Sequence, residues 1–157
     1  MDITGDIRLP GSREAVWRAI NDPAVLCACI PGCQSLERVS EHELRATIGA
    51  KLGLLKVKFN GVLRLENVRP PEGCRLIGEG SGGIAGFAKG YADIRLVEDG
   101  PETVLSYTAD AEIGGRIAKL GGKLIDAATS RLAARFFGNL SAHLTGAAIA
   151  AEAAEAE

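Results

Sequence analysis

Gly78-Glu79-Gly80-Ser81-Gly82, followed after a short loop by Ala88-Lys89-Gly90-Tyr91-Ala92-Asp93, alternates hydrogens and methyls with polar side chains. Side chains at i and i+2 of a strand share a face, so both segments read as strands with one nearly bare surface. Ala109 and Ala111, set among Thr108, Asp110 and Glu112, repeat the pattern. A face with so little side-chain volume leaves room that a close-packed interior would fill. It predicts either an element pressed closely against it or a pocket, and the rest of the chain gives grounds for both.

The period of two extends in both directions. Leu44, Ala46, Ile48 and Ala50 alternate with Glu43, Arg45 and Thr47, and Val57, Phe59, Gly61, Leu63 and Leu65 mark a strand over 56–68. Segments 35–40, 74–82, 88–98 and 103–113 complete the run, separated by Glu41-His42, Pro70-Pro71-Glu72-Gly73, Gly83–Gly86 and Asp99-Gly100-Pro101. Such short, turn-rich links predict an antiparallel sheet. Upstream, Ile3, Gly5, Ile7 and Leu9 form a first strand that ends at Pro10-Gly11. Ser12 then caps a helix through Asn21, in which Trp17 packs on the end of the sheet. A second short helix or turn leads through Ala28 to Pro31-Gly32.

From Gly114 the period becomes about 3.6, through Ile117, Leu120, Leu124, Ala128, Leu132, Phe136, Leu140 and Leu144. That stripe predicts one long helix, with a bend or late start at Gly121-Gly122. The expected fold is α+β: a seven-stranded curved antiparallel sheet wrapped around a long C-terminal helix, with two short helices between strands 1 and 2. Residues 1–145 form its single domain, and 146–157 form an Ala/Glu-rich tail, read as a fraying helix end.

Composition narrows the function. A net charge of −2 and a pI near 5.8 give no basis for nucleic-acid binding. Met1-Asp2-Ile3 does not begin an export signal and no long apolar run follows, so the cytoplasm is expected. Four cysteines in such a chain read as thiols. Cys27, Cys29 and Cys33 cluster without zinc-site spacing or a nearby histidine, so they read as small buried apolar groups, and no metal or cofactor is expected. Gly78–Gly83 matches G-x-G-x-x-G, but the strand period continues beyond it where a dinucleotide site requires a helix.

Three stretches resemble a known family: Ala28-Cys29-Ile30-Pro31-Gly32-Cys33, Gly82-Gly83-Ile84-Ala85-Gly86-Phe87-Ala88-Lys89-Gly90, and the run Gly114-Gly115-Arg116-Ile117-Ala118-Lys119-Leu120-Gly121-Gly122-Lys123-Leu124-Ile125-Asp126. With the order of elements, they make the chain similar to the START-like (SRPBCC, helix-grip) superfamily and, within it, to the CoxG family of carbon monoxide dehydrogenase subunits. That resemblance implies an apolar cavity between sheet and helix, a molybdenum hydroxylase partner, and a guest such as a lipid or respiratory quinone. It also implies peripheral contact with the inner face of the cytoplasmic membrane. It carries no catalytic residues.

The expected lining is Phe59, Leu63, Phe87, Tyr107, Leu124 and Phe136, with Leu54 and Ile84 at the entrance. Leu52-Gly53-Leu54-Leu55 is an apolar hairpin tip between Lys51 and Lys56, with Lys58 beyond. It reads as a lid, as a segment dipping into a bilayer, or as packing on the long helix. Arg116, Lys119 and Lys123 form one basic row, read as a solvated face or as a contact for an acidic membrane or partner. A non-catalytic carrier accounts best for these features. A polyketide cyclase or dehydratase, for which Tyr107 is the one inward polar tip, and a pure assembly or membrane-recruitment module without a ligand are the alternatives.

Overall fold

The structure, a computed structural model, describes residues 2–52 and 54–156, without the side chains of Leu52, Leu55 and residues 147–156. Its strands are β1 (Asp2–Pro10), β2 (Cys33–Ser40), β3 (Glu43–Leu52), β4 (Leu55–Arg69), β5 (Gly73–Ser81), β6 (Phe87–Asp99) and β7 (Glu102–Gly114). They form one seven-stranded sheet in the order β1-β7-β6-β5-β4-β3-β2, antiparallel throughout. Six strands follow as a meander, and β1 adds to the free edge of β7. The G-x-G-x-x-G match lies at the end of β5 and in the turn to β6, so no helix follows that could meet a pyrophosphate.

Two short helices link β1 to β2. In α1 (Arg13–Ile20) the Ser12 hydroxyl accepts from the Ala15 amide at 3.1 Å. In α2 (Pro23–Cys29) Asp22 accepts from Ala24 at 3.0 Å and Pro23 occupies the first turn, where its missing N–H costs nothing. Leu9, Val16, Ala19, Cys29, Leu96, Leu105, Leu140 and Leu144 form the main core between these helices, the sheet and the C-terminal helix. A smaller cluster of Leu44, Leu65 and Cys74 lies across the sheet, and Trp17 touches both.

The C-terminal stripe does not form one continuous helix. A 3-10 turn, Gly115–Leu120, buries Ile117; Gly121 then takes φ +93°, and α3 (Gly122–Ala156) follows. The break resets the helical phase, so Ile125 and not Leu124 faces the sheet, and Leu124 is exposed. The two ends of α3 also differ. Leu140 and Leu144 are buried, and the Asn139 side chain donates to the Cys29 carbonyl at 2.9 Å. Residues 122–135 contain no buried side chain. The helix is anchored at 136–144 and stands off the sheet before that.

Candidate functional site

Strand register lays a row of small side chains across the concave face. Ala46 pairs with Gly61, Gly61 with Gly80, Gly80 with Ala88, and Ala88 with Ile113. This row floors a cavity of about 710 Å³ under the first half of α3. Ile48 and Phe59 extend the floor, while Ile117, Ile125, Ala128 and Leu132 form the roof. Thr129 borders it too, but its hydroxyl donates to the Ile125 carbonyl at 2.8 Å and so adds little polarity. The volume lies within the range of about 300–1,000 Å³ usual for small-molecule sites.

The glycines of the concave face divide into two kinds. A β-carbon on Gly61 would stand 2.9 Å from the Glu79 carbonyl oxygen, and one on Gly90 would strike the Asp110 carbonyl. One on Gly5 would meet the Tyr107 hydroxyl at 2.6 Å, and one on Gly82 the Val57 methyl at 2.8 Å. These four permit close approach and curvature. At Gly80 the nearest atom is 3.8 Å away, and at Gly78 it is 3.6 Å, so these two leave real space.

Of the six expected lining residues, Phe59 borders the cavity. Phe87 does not: alternation with the inward Ala88 turns it to the outer face, where its ring covers Gly114. Leu63 packs against the Leu44 cluster. Phe136 packs on the main core, edge-on to Phe137 at 5.2 Å. Tyr107 stacks on Phe137 at 5.6 Å and borders a separate cleft of about 720 Å³ between β1 and α3, with Ile3, Ile7 and Asp126. The large side chains thus close the anchored end, and small ones line the void.

The expected entrance residues are elsewhere as well. Leu54 and Ile84 are 102% and 84% exposed, and neither borders the cavity. The exposed members of its wall are Gly32, Lys51, Arg131, Leu132 and Arg135, so it opens between α3 and the Pro31–Gly32 and β3 edge. Arg131 and Arg135 were not expected at the site, because the cations of the helix read as a solvated face. Lys56, Arg116, Lys119 and Lys123 are exposed and lie outside the wall. The expectation for Leu52 and Leu55 falls on side chains outside the described residues.

Titratable chemistry does not converge on the cavity. Asp93, held below the ordinary carboxylate range by its hydrogen bond to Arg75, pairs with it on the outer face at 2.8 and 2.9 Å. Lys89 and Glu112 pair at 3.6 Å across β6 and β7. Burial pushes the Cys29 and Cys74 thiols up. Burial, reinforced by Cys27, drives Cys33 to about 12. These three are therefore protonated at neutral pH and make poor nucleophiles. Among the described residues, no three His, Cys, Asp or Glu side chains are grouped to hold a metal. No helix there is long and apolar enough to cross a membrane.

Comparison with known proteins agrees with this architecture. A conserved protein from Geobacillus kaustophilus is 30% identical, with a TM-score of 0.87 over 93% of this chain and 96% of that one. A START superfamily protein from Mycobacterium smegmatis is 12% identical at TM-score 0.71, over 92% of this chain and 97% of that one. The Zhui aromatase/cyclase from Streptomyces sp. R1128 is 9% identical at TM-score 0.64, over 92% and 93%. The last two likenesses concern fold alone. No curated protein matches the chain. The family model for CoxG, a carbon monoxide dehydrogenase subunit, matches residues 5–145. With its START-like sheet closed over a long C-terminal helix, this chain belongs to the CoxG family of carbon monoxide dehydrogenase subunits.

Proposed function

We propose that this protein is a non-catalytic accessory that carries a hydrophobic molecule, a lipid or a respiratory quinone, in the cavity beneath the first half of α3. One observation carries the reading: the row Ala46–Gly61–Gly80–Ala88–Ile113 faces a roof without a buried side chain from α3, leaving about 710 Å³ bounded mainly by apolar groups. Burying hydrocarbon there contributes about 25 cal/mol per Å² without any directed chemistry. Membership of the CoxG family supports a molybdenum-dependent carbon monoxide dehydrogenase-type enzyme as the partner. The exposed Leu54 and Ile84, with Lys51, Lys56 and Lys58 beside the first, suit transient contact with an acidic bilayer at the inner face of the cytoplasmic membrane. Residues 1–145 would act as the carrier domain, and 146–157 as a tail outside it. A cyclase would need polar groups converging on its substrate, and Tyr107 borders the other cleft.

Extraction of the purified protein with organic solvent, followed by mass spectrometry, tests the carrier. A stoichiometric apolar guest, lost in Gly80→Leu while the fold is retained, is the expected result. An empty protein that takes up neither a lipid nor a quinone analogue overturns it and favours a ligand-free assembly module.

A further inference from the structure

We infer that the guest is a long-chain amphiphile with an anionic head, its chain in the cavity and its head held by Arg131, Arg135 and Lys51. The inference rests on the carrier reading and narrows it. These three cations are the charged residues of the wall; no Asp or Glu borders it. Among the described residues no carboxylate forms an ion pair with any of them, although six other cation–carboxylate contacts occur elsewhere on the molecule. Arg131 and Arg135 stand four residues apart on one side of α3, flanking Leu132, and like charges so spaced repel. An anion between them would offset that repulsion.

The acids nearest in sequence point the other way. Asp126, the acid within the first turns of α3, borders the two clefts on its opposite flank, of about 720 and 530 Å³, and does not border this cavity. The helix therefore separates its charges, with cations at one opening and the carboxylate at the other. Guanidinium forks bind carboxylate or phosphate through paired hydrogen bonds, which a neutral alcohol or quinone carbonyl does not match. The rim beside them is Pro31, Gly32 and Gly49, whose slight side chains leave room for a head group at the end of an apolar channel. A carboxylate and a phosphate head share this chemistry.

Binding of hexadecanoate, hexadecyl phosphate and hexadecanol to the whole purified protein, by displacement of a fluorescent fatty-chain probe below micellar concentrations, is the test. The anions should bind at least about tenfold more tightly than the alcohol, the size expected of charge-assisted hydrogen bonds. In Arg131→Gln/Arg135→Gln that preference should fall to within about twofold while hexadecanol affinity stays the same, which also reports an intact fold. Lys123→Gln, on the same helix but off the wall, should keep the preference. The ratio of phosphate to carboxylate affinity assigns the head. Equal binding of alcohol and anions, or a preference that survives the double substitution, overturns the anionic head and leaves the carrier standing. Binding of none of the three overturns both.

Discussion

Gly61 and Gly80 pair directly across β4 and β5, yet adding one methyl to each should move stability in opposite directions. Glycine within a strand costs roughly 0.5–1 kcal/mol relative to alanine through the freedom it loses on folding. At Gly80 the added methyl enters the cavity with its nearest neighbours 3.8–4.0 Å away, so nothing opposes that gain. Gly80→Ala should stabilise the protein by about 0.5–1 kcal/mol. At Gly61 the same methyl would stand 2.9 Å from the Glu79 carbonyl oxygen, a backbone atom held by the sheet. Forcing the strands apart there costs about 1–3 kcal/mol, so Gly61→Ala should be less stable by roughly 0.5–2 kcal/mol overall. Urea unfolding at constant slope reads both, and a change of 1 kcal/mol moves the midpoint by about 0.3–1 M. Equal destabilisation by the two variants would mean that the floor at Gly80 is filled in solution, and the cavity argument would fail with it. A neutral Gly61→Ala would refute the claim that this glycine sets the curvature.

Two further outcomes follow from burial and charge. Leu140→Ala, in the anchored half of α3, should cost about 2–5 kcal/mol in urea unfolding, whereas Leu132→Ala, in the raised half, should cost less than about 0.5 kcal/mol; comparable losses would show the first half seated on the sheet. The folded-state pKa of Cys33 is raised to about 12, so its contribution to stability is whole below the ordinary thiol pKa of about 9 and is lost as pH rises through the interval between. Stability should decline over that window, and Cys33→Ala should lessen the slope; an unchanged slope refutes the assignment.

The sheet was legible because two signals agree at almost every strand: side chains alternate, and a turn sequence ends each run. Tyr107, Ala109 and Ala111 fall inward and Asp110 keeps company with the outer set, as alternation requires. Phe87 was misplaced because its apolar character was given more weight than its parity beside Ala88. Leu124 was misplaced for a different reason. A continuous 3.6-residue period was carried from Ile117 across Gly121, but the 3-10 turn advances the chain differently and a glycine at φ +93° discards the phase. Counted from within α3, Ala128, Arg131, Leu132 and Arg135 share one side, and the two arginines then fall beside the cavity. Which glycines make space and which permit contact had no sequence signal, because that depends on how neighbouring strands bend.

Curvature and helix composition together explain why the void lies where it does. Gly61 and Gly90 let neighbouring backbone approach closer than any β-carbon allows, and the sheet bends into a trough deeper than a helix with small side chains can fill. At one end Phe136, Phe137, Leu140 and Leu144 supply the missing volume, and the core there is close-packed. At the other end α3 presents Ile125, Ala128, Thr129 and Ala133 toward the sheet, and open volume flanks it on both sides. Small residues on the sheet alone would have let the helix settle onto the floor. It is kept off by its anchored half, since a helix fixed along 136–144 is stiff and cannot dip over its first turns without bending. The cavity is thus a product of the whole fold, and filling the floor at Gly80 alters its volume without touching what holds it open.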